Sequence, residues 1–130
     1  MTDLIEVKTA DLTGHALGWA VAKVERLEVF LAGPQYNVPW RVFWKKRGEV
    51  LVRDVLYNPH EKWELGGPLI DKHYPTFSFS DGLIRAEVIV ASGEPFSAIG
   101  PDYLVAACRA IVAAKLGDTV QVPKELVHAN

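Results

Sequence analysis

The sequence predicts an α+β fold: an antiparallel sheet with two main helices, at about 11–26 and 101–116, and a short helix near 68–73. Apolar residues recur at helical spacing near both ends of the chain, at Leu17, Ala20, Val21 and Val24 and again at Leu104, Val105, Cys108, Ile111 and Val112. Between these runs the pattern changes to period two, the spacing of a strand with one buried face. The order of elements lacks the strand–helix alternation of a doubly wound fold, which leaves helices packed on an antiparallel sheet.

The first helix is expected to start at Asp11 or Thr13, both residue types that cap helix N-termini, and to end near Glu25 or Arg26. Leu12, Ala16 and Trp19 widen its apolar arc, with Trp19 at the edge and His15 and Lys23 one turn either side. Residues 27–31 fit either a short strand or a helix, and Gly33-Pro34 ends the element in both cases. Val38, Trp40, Val42 and Trp44 alternate with Pro39, Arg41, Phe43 and Lys45 as a strand with an aromatic inner face. Lys46-Arg47-Gly48 reads as the turn, and Glu49 to Val55 as the returning strand.

Asp81-Gly82 is a type I′ hairpin dipeptide between Thr76–Ser80 and Leu83–Val90. A two-residue loop pairs Phe79 with Ile84 and Phe77 with Ala86 on one face, and places Ser78 and Arg85 on the other. In the last helix Pro101 suits the first helical position, Asp102 the positive end of the helix dipole, and Gly117 the position just past the end. Its alanines permit close approach by a neighbour.

A length of 130 residues fits one domain, 1–130, and 49% hydrophobic residues suffice for a real core. The net charge of -2 supplies no global field for nucleic acid. Cys108 is the single cysteine, which excludes an intramolecular disulfide and a cysteine metal site and points to a reducing compartment. The first residues lack the basic and apolar regions of a signal peptide, and no apolar run approaches the roughly 20 residues that span a bilayer. A cytoplasmic protein is expected, with no cofactor and no membrane association.

The richest segment is Tyr57-Asn-Pro-His-Glu-Lys-Trp-Glu-Leu-Gly-Gly-Pro-Leu-Ile-Asp-Lys-His73. Gly67 as N-cap and Pro68 as first helical residue would open a short helix through His73, whose free N–H groups could hold an anion. The plainer reading is a tight turn whose glycines let the backbone pass close to Trp63. Trp63 and Trp19 could form a ligand platform or a partner anchor, or could bridge core and surface. His60 and His73 with Glu61, Glu64 or Asp71 match no zinc spacing and read as solvated surface residues. Cys108 reads as inert core, and Trp40 and Trp44 as core strand residues. Lys45-Lys46-Arg47 with Arg41 and Phe43 could contact nucleic acid, although a charged turn accounts for them. Arg109 lies opposite the apolar centre of the last helix, to meet an anion or to pair with Asp102 or Glu94.

Three ordered segments carry a resemblance: Val7 to Lys23 (with Leu-Thr-Gly-His-Ala-Leu-Gly-Trp-Ala-Val-Ala), Asn58 to His73 (with Trp-Glu-Leu-Gly-Gly-Pro) and Gly100 to Asp118 (with Gly-Pro, Ala-Ala-Cys-Arg and Lys-Leu-Gly-Asp). Together they resemble the phage NinX-like family over roughly half the chain. The chain departs from that pattern at Gly18, where the family often carries an acidic residue, and at His60, where it favours a small polar one. The stretch from Leu27 to Val55 does not align. The resemblance implies a phage or prophage accessory protein and transfers no catalytic residue. It singles out Trp19, Trp63, Gly66, Gly67, Pro68 and Arg109.

The leading expectation is a non-enzymatic interaction module for a host or phage macromolecule, with a protein rather than nucleic acid as partner. Its surface would comprise Trp63, Gly66, Gly67, Pro68, Asp71, His73, Trp19 and Arg109, with no catalytic or metal residue assigned. The alternative is a small anionic-ligand-binding protein, or an enzyme, using the Gly67–Pro68 helix N-terminus. The oligomeric state is left open.

Overall fold

The apolar stripe of the first helix is buried as its spacing requires. The structure, a computed structural model describing residues 3–127, places helix α1 at Gly14–Val24, with Leu17, Ala20 and Val21 fully buried. The single domain expected over 1–130 extends past the described residues at both ends. A strand β1 (Leu4–Lys8) and a short 3-10 turn at Thr9–Asp11 precede the helix, and Thr13 takes the N-cap position without a side-chain bond.

Arg26 then adopts a left-handed φ of 57°, which breaks the helix and returns the chain as strand β2 (Val29–Ala32). The open choice at 27–31 is thereby resolved as strand. Strand β3 (Arg41–Arg47) starts later than its alternation suggested, because Gln35 and Val38 bridge each other in a local turn. Val42 is buried and Trp44 packs on the core, whereas Val38 and Trp40 lie outside the strand and Val38 is exposed. Arg47 stays in the strand opposite Val52, so the turn lies at Gly48–Leu51, closed by Gly48 N–H to the Leu51 carbonyl at 2.8 Å. Strand β4 spans Val52–Leu56, and Val50, expected on it, sits in the turn.

After helix α2 (Trp63–His73), strands β5 (Thr76–Ser80) and β6 (Leu83–Ile89) form the hairpin in the expected register, Phe79 opposite Ile84 and Phe77 opposite Ala86. Asp81 and Gly82 have φ of 51° and 77°, the two positive values that a type I′ turn demands. Strand β7 (Pro95–Gly100) extends the hairpin, helix α3 covers Tyr103–Leu116, and strand β8 is Thr119–Pro123.

The fold is α+β, but the expected sheet is three separate antiparallel sheets: β1–β8, β2–β3–β4 and β5–β6–β7. Strands β1, β7 and β8 were not anticipated. The β1–β8 ribbon joins the two ends of the described chain, pairing Ile5 with Val122 and Val7 with Val120. Each of these strands is too short to announce itself without its partner.

Helix α3 is the central support, lying on β6 and β7 and touching α1 and α2. Ala106, Ala107 and Ala110 are buried, so small side chains let the neighbouring backbones close in. Asp102 is the N-cap, its Oδ1 accepting Val105 N–H at 2.8 Å, and Pro101 lies before the helix rather than in it. No helix among the described residues is long and apolar enough to cross a membrane.

Candidate functional site: a cleft where two helices begin

The segment after β4 is buried although it is polar. Tyr57, Asn58, Pro59 and His60 are all shielded from solvent. Tyr57 N–H donates to the Val42 carbonyl, anchoring the segment to β3. The Asn58 carbonyl accepts from Glu61 and Lys62 N–H at 3.0 and 3.1 Å, and Asn58 Nδ2 donates to Glu61 Oε1 at 2.8 Å. These bonds turn the chain into α2, which begins at Trp63 and therefore ahead of the Gly-Gly-Pro run.

This start overturns the expected anion site. Gly67 is not an N-cap and Pro68 is not a first helical residue, because both lie inside α2. An interior N–H is spent on the helix ladder. Gly66 is needed for close approach instead. A Cβ there would lie 2.6 Å from Leu104 Cδ2 and would also clash with the Pro59 carbonyl oxygen, whereas a Cβ at Gly67 would meet nothing within 4 Å.

With α2 seated against α3 through Gly66, the two helix starts flank a cleft of about 280 Å³ lined by His60, Glu61, Trp63, Asp102, Tyr103 and Leu104. Trp63 is 58% exposed and Tyr103 38% exposed at its rim. The Tyr103 ring packs edge-on against Phe77 and Phe79, with centroids 5.1 and 6.1 Å away, and Phe79 is 71% exposed. The Asn58 hydrogen bond holds the Glu61 carboxyl below the usual carboxylate range.

His60 is 7% exposed, which corrects its reading as a solvated residue. Its ring meets His15 edge-on at 6.3 Å, and Nδ1 of each is buried without a hydrogen-bond partner among the described residues. Burial pushes both imidazoles below their ordinary pKa, outweighing the pull of the Glu61 carboxylate, so both are neutral at pH 7.

The remaining candidate residues do not gather here. His73 is also no surface residue: its side chain is 8% exposed, and Nε2 lies 2.9 Å from Glu25, which also accepts from Lys72 at 2.7 Å. Burial resists ionisation of Glu25, but these two hydrogen bonds prevail and lower its pKa. Pro68 lines a second cavity of about 250 Å³ with Glu25, Trp44, Tyr57 and Leu69. Asp71 is exposed on α2. Trp19 packs partly buried on the core, with Lys23 Nζ 4.8 Å from its ring centroid, and does not line the cleft. Arg109 pairs with neither Asp102 nor Glu94: its Nε donates to the Leu12 carbonyl at 2.8 Å and its Nη1 to the Ile99 carbonyl at 2.9 Å. It ties α3 to the entry of α1 and to β7, and so supports the structure rather than a ligand.

Sequence reasoning missed Tyr103, Leu104 and Phe79 as site residues. Phe79 stands opposite the buried Ile84 yet is 71% exposed beside Tyr103, which alternation along the strand does not reveal. Among the described residues no group of three or more His, Cys, Asp or Glu side chains is placed to hold a metal ion. Cys108 is buried and its thiol is pushed up to about 12, so it is no nucleophile.

The three segments that carried the family resemblance meet at this site. A Cβ on Gly18, in the first, would lie 2.7 Å from the Tyr57 carbonyl oxygen and 3.6 Å from His60 Cε1, while Gly66, in the second, lies against Leu104, in the third. The family described as "Bacteriophage P22, NinX" matches residues 8–115, which include all of α1 and α2 and all but the last residue of α3. The chain belongs to that family. No curated protein matches the sequence. The two departures from the family pattern, Gly18 and His60, are neighbours in space: the imidazole at 60 approaches the volume that a side chain at 18 would need.

Proposed function

We propose that this member of the phage family is a non-enzymatic interaction module, a phage accessory protein that engages a protein partner through the face around the cleft. The observation that supports this reading is the gathering of Trp63, Tyr103 and Phe79, large and solvent-exposed, around one polar depression. Aromatic side chains in such a setting are the residue types that dominate binding energy at protein interfaces. The cleft volume of about 280 Å³ falls just below the roughly 300–1,000 Å³ of ordinary small-molecule sites. An inserted side chain of a partner suits it better than a free metabolite. The lone buried thiol Cys108 accords with work in a reducing cytoplasm.

The test compares partner capture from host-cell lysate by the wild type, Trp63→Ala and Ile89→Ala. Ile89 is 60% exposed at the far end of β6 from the hairpin turn, so its truncation removes a comparable apolar contact elsewhere. Loss of a specific partner with Trp63→Ala alone is the expected result. Equal recovery by all three proteins refutes the proposed surface.

A further inference from the structure

We propose that the cleft between the starts of α2 and α3 receives a guanidinium group, the side chain of an arginine presented by the partner. This deepens the reading of the same face as a protein-binding surface and rests on it. The cleft carries two carboxylates, Glu61 and Asp102. Each has one oxygen engaged, Glu61 Oε1 by Asn58 and Asp102 Oδ1 by Val105 N–H, and the other oxygen has no hydrogen bond among the described residues. No lysine or arginine lines the cleft; Lys62, next to Glu61 in sequence, is exposed outside the lining, and its charge acts on the Glu61 carboxylate.

Two helix N-termini also point here, and each contributes roughly half a positive charge. Their combined effect is about one unit, against two full carboxylates. Among the groups that line the cleft the balance stays negative by about one charge, with Lys62 screened by solvent outside the lining, so a cation is favoured over an anion. The polar wall adds no competing charge: His60 is almost fully buried, and its Nδ1 is without a partner among the described residues.

The apolar elements narrow the cation to a type. Trp63 and Tyr103 supply aromatic rings to the lining, and a delocalised guanidinium stacks on aromatic rings while pairing with carboxylates through its fork of N–H donors. An ammonium ion is a point charge and gains less from carboxylates beside aromatic rings. Leu104, 4% exposed, forms an apolar floor for the methylene stem. Gly66 determines that floor, since any larger residue there would displace Leu104.

The test follows the Trp63 indole N–H by ¹H–¹⁵N correlation NMR, assigned with Trp63→Phe, while Nα-acetyl-arginine amide is added. Nα-acetyl-citrulline amide is the control, nearly the same in shape and uncharged. A saturable shift with the arginine compound and none with citrulline is expected. Glu61→Gln keeps the bond to Asn58, and Asp102→Asn keeps the helix cap; combined, they should weaken the arginine response at least about tenfold without unfolding the protein. Equal responses to both compounds, no response to either, or an unaltered response in the double variant overturns the proposal. A shift with inorganic phosphate alone also overturns it, by reversing the sign of the preferred charge. If Trp63→Ala abolishes partner capture while the double variant captures fully, the arginine assignment fails and the surface stands.

Discussion

Two adjacent glycines of α2 should respond very differently to alanine. Neither has a positive φ, so alanine is conformationally allowed at both. In a helix interior alanine gains about 0.8–1 kcal/mol over glycine. At Gly67 nothing beyond the chain neighbours lies within 4 Å of the added carbon, but the ring of Pro68 crowds the Cβ of a preceding helical residue, so that gain is largely offset and Gly67→Ala should stay within about 0.5 kcal/mol of wild type. At Gly66 the same gain is opposed by Leu104 Cδ2 at 2.6 Å and by the Pro59 carbonyl. Leu104 can rotate, but the Pro59 backbone belongs to a buried segment held at both ends by hydrogen bonds. Overpacking of this kind costs about 1–3 kcal/mol, and a backbone obstacle places it near the upper limit. The net loss for Gly66→Ala is then about 1–2 kcal/mol, and the two variants should differ by about 1–2 kcal/mol. Urea denaturation measures this directly: with an m-value of about 1–3 kcal/mol/M, the midpoints should separate by roughly 1 M, Gly67→Ala close to wild type and Gly66→Ala below. Midpoints that move together, or a Gly66→Ala protein as stable as wild type, would refute the packing of α2 on Pro59 and Leu104.

Arg109→Lys should lose about 1.5–3 kcal/mol, because one ammonium cannot serve the Leu12 and Ile99 carbonyls together; an unchanged urea midpoint would count against the bridge. His15 and His60 have folded pKa values below the unfolded value, so the unfolded chain binds more protons and stability should fall as pH drops below about 6.5, levelling off below the folded values. His60→Gln should flatten that slope between pH 7.5 and 5, and an identical slope in the variant would exclude His60 as its source. Cys108 should resist a thiol reagent at pH 8 in the native protein and react once urea unfolds it; rapid native labelling would contradict its burial.

The candidate site was legible only in part. Trp63 and the segment around it stood out because a tryptophan beside Gly-Gly-Pro is not explained by a simple amphipathic pattern. The purpose of the glycines was misread, since the preference of Pro68 for a helix start was outweighed by the Asn58 hydrogen bonds that begin the helix at Trp63. His60 and His73 looked like surface residues because their burial depends on α1, which supplies Gly18 and His15 to one and Glu25 to the other. Arg109 looked available for an anion because its carbonyl partners, Leu12 and Ile99, are invisible in a helical pattern.

By itself the sequence determined what local chemistry decides: the hairpin register across Asp81-Gly82, the buried faces of α1 and α3, and the end of α3 at Gly117. These follow from φ preferences and side-chain periodicity within a few residues. The tertiary structure alone decided the pairing of β1 with β8, the division into three sheets and the composition of the cleft, which joins Glu61 and Trp63 to Asp102 and Tyr103. The ribbon pairs strands from opposite ends of the described chain, and the cleft depends on how closely α2 can approach α3, where a Cβ at Gly66 would meet Leu104, far along the chain.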